Sequence, residues 1–153
     1  MYALRLEKQD DPALTDTGTS VGRYRLLVCD ELTHAQIGLA EFFCEAGDLW
    51  DWFSAHREAL LEENPPEFLP EGISLAQRIS KFYEDVDPDA AGIDALLDTL
   101  HAYRTRHGLR FALRGVDIPN IYLGRHNSMH EISCAEDPSW SYQVDLPQFL
   151  AKW

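Results

Sequence analysis

Hydrophobic and polar positions alternate at the start of the chain, where Tyr2, Leu4 and Leu6 are separated by small or charged residues. That period of two predicts an opening strand, and Tyr24, Leu26 and Val28 predict a second. Between them, Gln9 to Thr19 is rich in Asp, Thr and Gly and reads as an exposed loop. Residues 32–46 are ambiguous: Ile37, Leu39, Phe42 and Phe43 fit a short helix better than a strand, and Gly38 weakens both readings. A period near 3.6 then takes over. Asp48 is placed to cap a helix whose inner face holds Leu49, Trp52, Phe53, His56, Ala59 and Leu60. Trp50 points about 200° away from its neighbour-but-one Trp52, towards solvent. The run Asn64-Pro-Pro-Glu-Phe-Leu-Pro70 stops this helix, because proline cannot continue one.

Ser74 caps a second predicted helix with Leu75, Ile79, Phe82, Tyr83 and Val86 inward, and Asp89 a third with Ile93, Leu96, Leu97, Leu100 and Tyr103 inward. The third ends at His107-Gly108, with a basic last turn and a glycine able to turn left-handed. Period two returns at Leu109, Phe111 and Leu113, predicting a strand with Arg110 and Arg114 on its other face. Residues 120–124, 129–134 and 140–144 predict three more short strands. Asp145-Leu-Pro-Gln marks the start of a last helix, docked by Phe149, Leu150 and Trp153. Strands and helices are segregated, so the expected fold is α+β. Residues 1–153 are read as a single acidic domain, a mostly antiparallel sheet with a helical middle and a C-terminal helix packed on it.

Charge changes the picture most. The chain has 153 residues and a formal net charge of −13. Of its 26 acids, 21 lie within residues 1–100, against 7 of its 13 bases. Such a field repels nucleic acid and anionic membranes and attracts basic proteins, although acidity also serves solubility alone. No apolar run nears the roughly 18 residues of a membrane span, and the opening residues lack a secretory pattern. Cys29, Cys44 and Cys134 are odd in number, without CxxC spacing, and read as reduced and buried. A cytoplasmic protein is expected.

Candidate chemistry is sparse. His126, His130 and Cys134 resemble a zinc ligand set, but Asn127-Ser128 looks like a turn and no fourth ligand is evident. No metal and no cofactor is expected. The crowd Glu84, Asp85, Asp87 and Asp89 lacks the order of a calcium loop. Phosphate-loop, dinucleotide, nucleophile-elbow and HExxH motifs are absent, and no Cys–His spacing matches a nucleophile signature, so no enzyme is expected. Arg104, Arg106, His107, Arg110, Arg114 and Arg125 form the basic concentration, with Arg110 and Arg114 expected to pair with acids of the helical middle or Asp117. The expected partner-binding surface comprises Glu41, Glu45, Asp48, Trp50, Asp51, Glu58, Glu62, Glu63 and Glu67, an exposed tryptophan amid carboxylates.

The stretch Arg110-Phe-Ala-Leu-Arg-Gly-Val-Asp-Ile-Pro-Asn-Ile-Tyr-Leu-Gly124 and the tail Trp140-Ser-Tyr-Gln-Val-Asp-Leu-Pro-Gln-Phe-Leu150 resemble those of immunity proteins from bacterial polymorphic-toxin systems. The resemblance implies one tight complex with a cognate toxin, often a basic nuclease, whose active site is blocked without any chemistry. It carries no family site residue onto this chain. Two other readings stand beside it: a nucleic-acid mimic whose carboxylates imitate phosphates, and a small metal-dependent enzyme using His126, His130 and Cys134.

Overall fold

The computed structural model describes residues 1–12 and 21–153. Most of the loop expected over Gln9 to Thr19 lies outside them. The fold is α+β, with two three-stranded antiparallel sheets rather than one. Strands β1 (Tyr2–Gln9), β2 (Val21–Asp30) and β3 (Gln36–Glu45) form the first in chain order. Helices α1 (Ala46–Glu62), α2 (Leu75–Asp85) and α3 (Ile93–His107) follow, then a short 3-10 helix, Leu109–Phe111. Strands β4 (Ile121–His126), β5 (Met129–Cys134) and β6 (Trp140–Gln143) make the second sheet, and α4 (Leu146–Leu150) closes the described fold. The sheets meet through a parallel bridge between Tyr2 and Val144, where the Asp145 amide donates to the Tyr2 carbonyl at 3.2 Å.

One apolar cluster lies between the sheets, α1 and α4, built on Leu26, Val28, Phe42, Phe53, Ile132 and Phe149. A second joins α2 and α3 to Tyr122 of β4. All three cysteines are free and buried.

Residues 36–45 form a strand where the sequence favours a short helix. Paired with β2, Phe42 and Cys44 face inward opposite Tyr24 and Gly22, while Phe43 stays half exposed. A bulge between Leu26 and Leu27 places Ala40 and Gly38 opposite them, shifting the register partway along. Pairing with β2 outweighs the weak 3–4 spacing of Leu39, Phe42 and Phe43.

Helix α1 begins at Ala46, with Glu45 as its cap residue, so Asp48 lies in the first turn rather than at the cap. Ser74 caps α2 as its sequence implies, accepting from the Gln77 amide at 3.1 Å. Helix α3 is preceded by Gly92 at φ 78° instead of by Asp89, a left-handed residue that suits glycine. Leu96 faces solvent, and the buried stripe runs through Ile93, Leu100, Tyr103 and His107. Tyr83 of α2 is likewise partly exposed. Gly108 ends α3 as expected but stays extended at φ −92°; a side chain there would meet the Arg104 carbonyl at 2.9 Å.

The strand expected from Leu109 to Arg114 is absent. Phe111 and Ala112 amides donate to the Gly108 and Leu109 carbonyls, and Leu109, Ala112 and Leu113 are the buried residues. Their spacing of three and four follows a helical turn, which a three-residue alternation was too short to exclude. Arg110 and Arg114 therefore do not share a strand face.

The hairpin β4–β5 and the last helix follow the sequence reading, with the Asp145 carboxylate accepting from the Gln148 amide at 2.8 Å. Strand β5 also holds α2 in place. Glu131, 5% exposed, accepts from the Leu75 amide at 2.6 Å, and the Ser133 hydroxyl accepts from Ala76 at 3.1 Å. These amides have no partner inside their own helix, and the positive helix end favours the carboxylate. Its second oxygen lies 2.9 Å from His126 Nδ1. Replacing Glu131 with Ala leaves the Leu75 amide and His126 without that partner. It should cost about 2–4 kcal/mol, lowering the melting temperature by roughly 5–15 °C in differential scanning calorimetry. A change below about 1 °C would contradict this role.

Candidate functional site

Helix α1 has two opposed faces. Leu49, Trp52, Phe53 and Leu60 are buried, and the Trp52 indole donates to the Thr105 carbonyl at 3.1 Å. At about 100° per residue, Asp48, Asp51, Glu58 and Glu62 fall into one row on the far side. All four are exposed. The row extends about 21 Å at 1.5 Å per residue, with Ala55 in its middle and no base within it. Glu45, at the start of the helix, and Glu67, in the following loop, are also exposed.

Three expected members of the surface are differently placed. Glu41 lies on the outer face of the first sheet, bonded to Arg23 at 2.7 Å and 3.9 Å from Arg25. Trp50 sits on the flank of α1, about 80° or more from the acidic row. Its ring packs edge-on against Trp153 at 4.2 Å, so it belongs to an aromatic group with the C-terminus rather than to a ring of carboxylates. Glu63, just beyond α1, is half-buried and engaged by donors from other elements.

The geometry around Glu63 explains why. Helix α1 has no base in its own last turn, although its C-terminal dipole favours one. Other elements supply the donors. Arg106 grips Glu63 with two parallel bonds of 2.8 and 2.6 Å, and His107 Nε2 lies 3.0 Å from the same carboxylate. His130 Nε2 donates to the Leu61 carbonyl at 3.0 Å, and Arg125 reaches the Glu62 carbonyl at 3.4 Å.

His107 is fully buried; its Nδ1 donates to the Leu123 carbonyl at 2.8 Å, and Tyr103 stacks on it at 4.0 Å. Gly124 permits that approach, because a side chain there would meet His107 Nδ1 at 2.7 Å. Burial pushes the His107 pKa below its ordinary value, overcoming the carbonyl and carboxylate contacts that favour the charged ring. The Arg106 bond foremost, then His107, holds the Glu63 pKa below the ordinary carboxylate value against partial burial.

The residues of the zinc-like string are occupied separately. His126 pairs with Glu131, His130 caps α1, and Cys134 is buried in the core. Among the described residues no group of three His, Cys, Asp or Glu side chains converges to hold a metal. No described helix is long and apolar enough to cross a membrane.

The Arg110 and Arg114 side chains are exposed and make no hydrogen bond or ion pair among the described residues, contrary to the internal network their surroundings suggest. Sequence reasoning also passed over Tyr83 and Tyr122 as partners of Arg104. The Arg104 guanidinium donates to the Tyr122 hydroxyl at 2.8 Å and to the Tyr83 hydroxyl at 3.0 Å. No spacing rule links residues of α2, α3 and β4 in this way.

Compared with protein-family models, curated proteins and solved structures, the chain matches none.

Adjacent glutamates should respond differently to mutation. Glu63→Ala uncouples Arg106 and His107 and should cost about 2–3 kcal/mol in urea unfolding. Glu62→Ala, whose side chain is 74% exposed, should cost less than about 0.5 kcal/mol. Equal losses would contradict the assignment.

The folded protein also binds fewer protons than the unfolded chain at His107 and Glu63, since both pKa values are lowered. Stability should therefore fall as pH drops below the ordinary histidine value of 6.5, and again below the ordinary glutamate value of 4.5. Urea midpoints measured from pH 8 to 4 should show both losses. Glu63→Gln should remove the lower one.

Proposed function

We propose that this is a cytoplasmic binding protein that neutralises a basic protein, a bacterial toxin in the manner of the immunity proteins it resembles. The observation that carries the reading is the row Asp48, Asp51, Glu58 and Glu62 on the solvent face of α1. A rigid helix holds these carboxylates without engaging them in strong internal pairs; Arg125 approaches the Glu62 carboxylate no closer than 3.9 Å. They are available to steer a cationic surface and fix its register. Exposed Glu45 and Glu67 extend the negative field beyond the helix ends. Inhibition by this surface needs coverage of the toxin site, not chemistry.

A nucleic-acid mimic shares the negative row. Its carboxylates, however, follow one another at steps of three, seven and four residues, which is not the even repeat of a phosphate backbone. The uneven row favours a protein surface with its own pattern of cations.

The test is protection of growth against a basic toxin encoded beside this chain's gene, together with binding of that purified toxin. Asp51→Lys, Glu58→Lys and Glu62→Lys combined should leave the fold intact, slow association by more than 10-fold and abolish protection. Unchanged binding by the triple variant would overturn the proposed interface. Failure of the unaltered chain to bind or protect would overturn the immunity reading.

A further inference from the structure

A cavity of about 530 Å³ opens where α3 meets the 3-10 helix, lined by His101, Arg104, Thr105, Arg110, Phe111 and Arg114. No carboxylate lines it, although the chain has twice as many acids as bases. Arg23, Arg25, Arg106 and Arg125 each lie within ion-pair distance of a glutamate; Arg104, Arg110 and Arg114, like Arg5, Arg57 and Arg78, do not, among the described residues. Arg104 is nevertheless held firmly. Two tyrosine hydroxyls accept from its Nε and Nη1, and its guanidinium lies 5.2 Å from the Tyr83 ring centre and 5.8 Å from that of Phe111. These contacts fix its position without any carboxylate at ion-pair distance among the described residues, although Glu84 and Glu136 line a second cavity on the tyrosine side, and Nη2 makes no hydrogen bond. Arg110 and Arg114, exposed and with side chains that make no hydrogen bond among the described residues, add two more cations at the rim.

We infer that this cavity binds a phosphoryl anion, with Arg104 as the fixed receptor and Arg110 and Arg114 closing on it from the rim. Planar guanidinium groups match the paired oxygens of phosphate, and such bonds are about twice as strong as neutral ones. The negative field of the whole protein does not forbid the ligand. Exposed charges beyond about 8 Å are largely screened at physiological salt, so the nearby arginines decide. A long polyanion would meet the exposed acids Asp94 and Asp98 of α3 as well, which restricts the ligand to a small molecule. Phe111 and His101, in edge contact at 5.8 Å, offer an aromatic wall beside the cations. The phosphoryl group can therefore come from an inorganic ion or from a phosphate ester with a planar ring. This inference is independent of the acidic row on α1.

Isothermal titration at 0.15 M salt, without divalent cations, tests it with inorganic pyrophosphate and with adenosine diphosphate. The unaltered protein should bind at least one of them with a Kd below about 1 mM, equivalent to about −4 kcal/mol. A tighter adenosine diphosphate complex identifies the ester as the source; equal or tighter pyrophosphate identifies the inorganic group. Arg110→Ala with Arg114→Ala should weaken binding at least 10-fold without changing the melting temperature. Arg104→Gln should abolish binding, with circular dichroism reporting whether the fold survives. Absence of binding to both probes at 10-fold higher concentration (about 10 mM), or binding unchanged in the folded double variant, would overturn the inference.

Discussion

The structure depends on how the C-terminal end of α1 is neutralised. This helix ends at Glu62 with Glu63 as its cap residue, so its own sequence places negative charge where the dipole is already negative. Arg106 and His107 of α3, Arg125 of β4 and His130 of β5 all converge there. An unfavourable helix end thus becomes the junction where α1, α3 and the second sheet are fastened. Because His107 also reaches the Leu123 carbonyl, the junction fixes the depth at which α3 sits against β4.

Strand β5 serves two helix ends of opposite polarity. His130 donates to the last turn of α1, while its neighbour Glu131 accepts from the first turn of α2. Successive strand residues point to opposite faces, so one dipeptide can address both helices. The alternation of His130 and Glu131 is consequently a docking device. Electrostatic pairing here supplies orientation between elements, while the buried apolar clusters supply the larger driving force.

The same separation of tasks extends to the surface. At the α1 terminus Glu63 is drawn towards Arg106 and His107, whereas the acids along the solvent face remain open. Glu62 and Glu63 are neighbours in sequence with different environments: one side chain is 74% exposed, the other 31%. The three arginines around the α3 cavity reverse the pattern, with no carboxylate at ion-pair distance from them among the described residues. A net charge therefore describes the far field of this protein but neither of its local surfaces.

Much of the architecture was legible from residue order. Ser74 marked α2, the hairpin residues Asn127 and Ser128 marked a turn, and Asp145 marked the last helix, because caps and turns are local interactions. The acids of the α1 row were legible too, since a 3.6-residue period sorts one face from another. The environments of Glu63, Trp50 and Arg104 were not. Their partners lie 43, 103 and 18 residues away, respectively, at Arg106, Trp153 and Tyr122. Likewise, strand β3 and the turn at Leu109 were decided by pairing with β2 and by three-dimensional burial. Sequence periodicity determined which faces each helix would offer; only tertiary packing decided which exposed charges would be neutralised, because ion pairing acts through space and not along the chain.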